Sequence, residues 1–157
     1  MAVERLELFA DYFQFVLLDE RCDDDFSAIW TPEALQRMLA VGDRSISVGT
    51  LRNVTVSVEI YFVTAKPIFD LSGYDHAAEA SFSVPSGRLA VLGCTDYLPD
   101  AKHFDVQPGH YQVLSLASGV DTIVNEWDPA EDLYSVYLWL GAPIIPRLLK
   151  HWKGAAA

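Results

Sequence analysis

At 157 residues the chain has room for one well-packed core and not for two, which predicts a single domain over residues 1–153, with 154–157 as a frayed end or an expression scar. Hydrophobic residues make up 51% of it and aromatics 12%, the composition of a packed globular protein rather than a disordered acidic one. Asp and Glu outnumber Lys and Arg by 22 to 11, and this balance argues against direct nucleic-acid binding, because a phosphate backbone needs clustered cations to neutralise it. All 22 acids precede Arg147, whereas the residues from there on add only the bases Arg147, Lys150 and Lys153. Glu4 and Glu7 interrupt the opening apolar pattern, which is wrong for a signal peptide. No run approaches the roughly 18 apolar residues of a membrane helix, so no membrane association and a cytoplasmic location are expected. Cys22 and Cys94 lie far apart, in no metal or redox spacing, and read as unpaired thiols in a reducing compartment.

Residues 6–18 are rich in aromatic and aliphatic side chains but alternate imperfectly at Ala10-Asp11, which predicts a long opening strand with a bulge. Asp19, Glu20, Asp23, Asp24 and Asp25 follow in one stretch, whose self-repulsion predicts an exposed loop leading to Trp30. Thr31-Pro32-Glu33 then supplies a cap, a helix-starting proline and an early acid, so a short helix is expected that closes at Gly42. Residues 45–51 and 54–64 read as strands, the second alternating Val54, Val56, Val58, Ile60 and Phe62 against polar neighbours. Further strands are expected at 77–84, 89–93, 103–106, 111–117 and 134–140, separated by Gly, Pro and Asp turn signals. A second acidic loop, 121–132, carries Asp121, Glu126, Asp128, Glu131 and Asp132 around Trp127. Residues 144–152 place Ile145, Leu148, Leu149 and Trp152 at helical spacing. The predicted fold is therefore mainly β: a β-sandwich of antiparallel strands with one short helix after the first strand and a C-terminal helix.

Catalytic chemistry is hard to assemble from these residues. The four histidines, His76, His103, His110 and His151, sit in no metal-binding context, although His103 and His110 flank the turn at Pro108-Gly109 and are candidates to line a small enzyme pocket. Ser86 belongs to a Pro-Ser-Gly turn rather than a nucleophile elbow, and no glycine-rich phosphate loop precedes a helix. Asp23-Asp24-Asp25 lacks the alternation and the glycine of an EF-hand loop. No cofactor is expected. The constellation that stands out is aromatic: Trp30 after the first acidic stretch and Trp127 within the second. A ring set among carboxylates supplies buried contact and electrostatic steering toward a basic protein surface.

Several motifs fall in a recognisable order: Tyr12-Phe13-Gln14-Phe15, Trp30-Thr31-Pro32-Glu33-Ala34, Gly42-Asp43-Arg44-Ser45-Ile46-Ser47, Arg52-Asn53, and later Pro108-Gly109-His110-Tyr111-Gln112-Val113. Together they resemble the competence protein J family of nuclease inhibitors. The resemblance implies a non-enzymatic inhibitor or immunity protein that binds a nuclease, and the charge agrees with it, since a groove built for phosphates is basic and accepts a carboxylate-rich surface. The expected partner-binding residues are Asp19, Glu20, Asp23, Asp24, Asp25, Trp30, Glu126, Trp127, Asp128, Glu131 and Asp132. The alternative reading from another class is a calcium-binding or lipid-surface β-sandwich module, with the same acidic loops gathered at one end.

Overall fold

Strands that are apolar on both faces dominate the middle of the chain, and the structure, a computed structural model that describes residues 2–153, explains why. The expected tail 154–157 lies outside the described residues. The elements run β1 (Ala2–Phe9), β2 (Gln14–Asp19), α1 (Pro32–Arg37), β3 (Leu39–Val41), β4 (Ser45–Gly49), β5 (Thr55–Phe62), β6 (His76–Val84), β7 (Arg88–Gly93), β8 (Lys102–Asp105), β9 (Gly109–Ser118), β10 (Leu133–Leu140) and β11 (Arg147–Lys150). They form two sheets, in the orders β1-β5-β10-β9-β6-β11 and β3-β4-β2-β7-β8.

Side chains from both sheets share one apolar core. Phe15, Leu17, Leu89 and Val91 of the smaller sheet pack with Val56, Val58, Ile60, Val113, Tyr134, Val136 and Leu138 of the larger one. The opposite faces are covered as well, which is why these strands read as continuous apolar runs. Val16, Leu18, Ala90 and Leu92 are overlaid by Cys22, Phe26, Cys94 and Leu98. Ala77, Leu114, Leu116 and Trp139 are overlaid by Phe69, Leu71 and Tyr74, which belong to the β5–β6 connection.

Four expectations are corrected. The opening segment is two strands and not one: β1 pairs with β5 in the larger sheet, and β2 pairs with β4 and β7 in the smaller. What reads as a bulge is a corner, the 3-10 turn Asp11–Phe13, that carries the chain between sheets. The sheets are not wholly antiparallel, because β5 and β10 run parallel. The helix is shorter than expected. Thr31 Oγ1 accepts the Ala34 N–H at 3.1 Å to start it, Met38 ends it with a left-handed φ of 56°, and the chain continues into β3 rather than coiling on to Gly42. Leu39 and Ala40 are fully buried there, against the backbone of β4, which offers hydrogen bonds that another helical turn would forgo.

The C-terminal helix is absent, and the segment forms β11 on the edge of β6. Pro143 and Pro146 bias the residues before them toward extended backbone, and the β6 edge supplies partners for the groups that follow. An irregularity between Leu148 and Lys150 lets the apolar residues serve two places: Leu149 joins the outer cluster and Trp152 the main core. The bases are engaged here too. Arg147 Nη2 lies 3.1 Å from the Glu79 carboxylate, and Lys150 Nζ donates to the Leu71 carbonyl at 3.0 Å. The Trp152 N–H donates to His76 Nδ1 at 3.0 Å, which leaves Nε2 to donate to the Arg37 carbonyl at 2.6 Å. Burial lowers the His76 pKa, in keeping with a neutral ring.

Candidate partner-binding surface

The first acidic stretch begins at the far end of β2 and turns most of its chemistry inward. Asp19 is fully buried, with one carboxylate oxygen accepting the Arg21 N–H and the other the Ser86 N–H, each at 2.8 Å. It joins two turns and presents nothing to a partner. Asp24 Oδ2 accepts from the Arg44 N–H at 2.9 Å and the Ser45 hydroxyl at 2.7 Å, closing the β3–β4 turn around Gly42. A side chain at Gly42 would strike that carboxylate. Burial works to raise the Asp24 pKa, but the Ser45 and Arg44 hydrogen bonds outweigh it and hold the carboxyl below the ordinary value. Asp25 is also held low, by the Ser27 hydroxyl and the Ala28 and Ser27 amides that it caps. Burial of the neighbouring Cys22 thiol pushes its pKa up to about 11. Arginines accompany these acids: Arg88 Nε lies 3.5 Å from the Glu20 carboxylate, and Arg21 and Arg44 are in the same stretch of surface. Asp23 remains exposed and without a hydrogen-bond role of its own.

The second acidic loop joins β9 to β10 at the opposite end of the molecule, and its construction is different. Arg52, buried on the β4–β5 connection, donates through Nη2 to Asp132 Oδ1 at 2.6 Å, through Nε to Asp132 Oδ2 at 3.3 Å and through Nη1 to the Asp128 carbonyl at 3.0 Å. The Tyr134 hydroxyl donates to Asp132 Oδ2 at 2.9 Å and accepts the Leu51 N–H at 3.0 Å. Burial drives the Tyr134 phenol well above the ordinary range, so it stays protonated for both bonds. Gly119, with a left-handed φ of 66°, opens the loop where a side chain would strike the Glu131 carbonyl. The loop thus hangs on one inward carboxylate, Asp132, and leaves its tip outside. Asn125 Oδ1 accepts the Trp127 and Asp128 amides at 2.9 and 2.8 Å, folding the tip into a tight turn with the Trp127 ring 79% exposed. Asp128 and Glu131 are exposed and Glu126 is half-buried beside them.

A third feature lies at the same end, on the β1–β2 corner. Tyr12 and Phe13 both take left-handed backbone, with φ of 56° and 59°, although neither is glycine. Such geometry costs an L-residue about 1–2 kcal/mol each. Hydrogen bonds hold it in place. The Tyr12 N–H donates to Asp11 Oδ1 at 3.1 Å, the Phe13 N–H to the Ala10 carbonyl at 3.0 Å, and the Thr50 N–H to the Phe13 carbonyl at 2.9 Å. The Thr95 hydroxyl ties Asp11 Oδ2 at 2.9 Å. Tyr12 is 71% exposed and Phe13 47%. Beside them lies a shallow cleft of about 210 Å³, walled by Trp30, Leu35 and Met38 over Gly49 and Leu51. Trp30 Nε1 donates to Gln14 Oε1 at 3.0 Å, which places this ring at the corner and away from Asp24, although only a few residues separate them in sequence.

The two acidic segments therefore do not share one surface, whereas Trp30 and Trp127 both flank the β4–β5 connection. The corner bonds to that connection through Thr50 and Val54, the second loop bonds to it through Arg52, and Tyr134 at the start of β10 bonds to it through Leu51. Sequence reasoning passed over Tyr12, Phe13 and Arg52 as binding or anchoring residues, because nothing in the sequence marks an aromatic residue for left-handed backbone. One signal was present: residues 119–133 contain no Lys or Arg at all.

His103 and His110 lie on β8 and β9, in different sheets, and so do not form a pair across their turn. His103 lines an open cleft of about 670 Å³ between β1 and β8, and His110 is not on its wall. Among the described residues, no three His, Cys, Asp or Glu side chains are grouped to hold a metal ion, and no helix is long and apolar enough to cross a membrane.

The family model for Competence protein J (ComJ) matches residues 7–140. No curated protein sequence matches the chain. Among solved structures, ComJ from Bacillus subtilis, inhibitor of the DNA-degrading activity of NucA, is similar with a TM-score of 0.64 at 18% identity, over 90% of this chain and 96% of that one. A protein described as crocagin biosynthetic gene J is similar with a TM-score of 0.58 at 20% identity, over 90% of this chain and 100% of that one.

Proposed function

Because the chain belongs to the competence protein J family, we propose that it is a non-enzymatic inhibitor that binds a DNA-degrading nuclease and covers its phosphate-binding groove with a carboxylate-rich surface. The observation that carries this reading is the second acidic loop: Trp127 is presented outward among Glu126, Asp128 and Glu131, on a turn anchored by the buried Arg52–Asp132 ion pair. A groove that holds DNA is basic, and a surface of fixed carboxylates competes for the same cations. Complementary charge raises the association rate toward about 10⁸ M⁻¹s⁻¹ at low salt, and the ring supplies contact that slows release. The solved relative from Bacillus subtilis inhibits a nuclease of this kind, which supports the assignment.

The contact set is Trp30, Glu126, Trp127, Asp128 and Glu131, with Glu20, Asp23 and Asp25 adding to the field from the other end. Asp19, Asp24 and Asp132 act from inside, by holding the turns in place. An immunity role against an antibacterial nuclease toxin, in the cell that makes the toxin, is the biological setting that this mechanism suits. The test is a titration of the purified chain into Bacillus subtilis NucA cleaving DNA. Stoichiometric suppression of cleavage, with no DNA cleavage or DNA binding by the chain alone, is the expected result. Unchanged cleavage at a large excess of the chain overturns the proposal.

A further inference from the structure

We infer that the Tyr12–Phe13 corner is the rigid anchor of the partner interface, where cationic side chains of a basic protein stack on the two rings while the second acidic loop pairs with their charge. The inference rests on the inhibitor reading and deepens it by naming where the partner is gripped. Three independent observations lead there.

Exposed apolar area is the first. Among the described residues, seven of the ten large apolar side chains left exposed belong to this end: Phe9, Tyr12, Phe13, Leu35, Tyr97, Val124 and Trp127. Backbone strain is the second. Two successive aromatic residues hold positive φ, and the Asp11, Ala10 and Thr50 hydrogen bonds fix that geometry so that the rings stand in solvent rather than fold onto the core. Strain maintained by its surroundings at an exposed site marks a position selected for something other than stability. A pre-set ring also loses little freedom on binding, which is how aromatic residues come to dominate interface energetics.

Charge is the third, and it selects the partner. The connections that meet here, 9–14, 50–54, 93–97 and 119–133, carry Asp11, Asp96, Asp121, Glu126, Asp128 and Glu131 on or near the surface. Their one base, Arg52, is buried against Asp132. An apolar surface bordered by connections that carry acids and only one, buried, base fits a basic protein, whose Arg and Lys side chains offer an alkyl stem and a charge that aromatic faces attract. A nucleic acid or an acidic partner would be repelled by the same acids.

The experiment compares wild type with Tyr12→Gly and Phe13→Gly, using Bacillus subtilis NucA as the probe. Glycine accepts the left-handed backbone, so each variant keeps the corner while deleting its ring. Thermal unfolding midpoints equal to or above wild type are expected, together with at least a tenfold loss of affinity per variant, expressed as faster dissociation, and recovery in Tyr12→Phe. Variants that bind NucA as tightly as wild type overturn the inference and leave the inhibitor reading standing. A wild-type chain that fails to inhibit NucA removes that reading and this one with it. Sedimentation showing a wild-type dimer that Tyr12→Gly converts to monomer would assign the corner to a second copy of the chain and overturn it as well.

Discussion

The two acidic segments look alike in sequence and do different work in the fold. Between Asp19 and Asp25 the carboxylates mostly accept backbone and hydroxyl hydrogen bonds, and arginines at positions 21, 44 and 88 stand among them. Between Asp121 and Asp132 one carboxylate is spent on a buried arginine, and the others face solvent around a tryptophan, with no base in the loop. The lesson is that acidic residues serve two ends. Near turns they replace missing backbone partners, and only where the turns are otherwise satisfied does their charge remain available to another molecule.

The largest test of this contrast is the anchor. Arg52→Met leaves the Asp132 carboxylate buried without its cation, and a destabilisation of about 3–5 kcal/mol is expected in urea unfolding. A change below about 1 kcal/mol would mean that water already serves the site and that the loop is not held as described. Next comes Asp19→Ala, which removes the acceptor of two amide groups and should cost about 2–3 kcal/mol in the same assay. The neighbouring Asp23→Ala should stay within about 0.5 kcal/mol, because Asp23 is an exposed surface residue. Similar losses for the two would erase the distinction between structural and free carboxylates.

The acid limb of stability separates the segments more finely. The Asp24 carboxyl titrates below its ordinary value of 3.8 in the folded chain, so its contribution is present above that value and is lost as pH falls through the lower folded one. Thermal unfolding followed from about pH 5 down to about pH 2 should show wild type losing stability in that window and Asp24→Asn losing less of it. His76 works at higher pH with the same sense of loss. Its lowered pKa means that stability is full above the ordinary value of 6.5 and declines as pH falls from there toward the lower folded value, because the unfolded chain binds a proton that the folded ring, accepting from the Trp152 N–H, resists. His76→Gln should flatten that part of the profile.

Much of the fold was legible. The alternation of Val56, Val58 and Ile60 and the turn signals around residues 85–87 and 108–109 placed most strands within a residue or two. The Thr31-Pro32 start marked the helix. What stayed hidden depended on tertiary partners. Leu148, Leu149 and Trp152 have helical spacing, and only the free edge of β6 draws Arg147–Lys150 into a strand, with Trp152 just beyond it. The break between β1 and β2 was concealed because Tyr12 and Phe13 are poor residues for the turn they form, and a glycine there would have announced it. Of the candidate site, Trp127 and its carboxylates could be read from the sequence. The inward roles of Asp19 and Asp132 could not, since their partners Ser86 and Arg52 are distant in the chain.

Stopped-flow association with Bacillus subtilis NucA, at low and high salt, tests the central claim most directly. It compares a variant carrying Glu126→Gln, Asp128→Asn and Glu131→Gln with one carrying Glu20→Gln, Asp23→Asn and Asp25→Asn. The second-loop variant should associate at least about tenfold more slowly at low salt, with the gap closing as salt rises, while the first-stretch variant stays within about twofold of wild type. Equal rates for both variants and wild type, or a larger loss from the first stretch, would contradict the account.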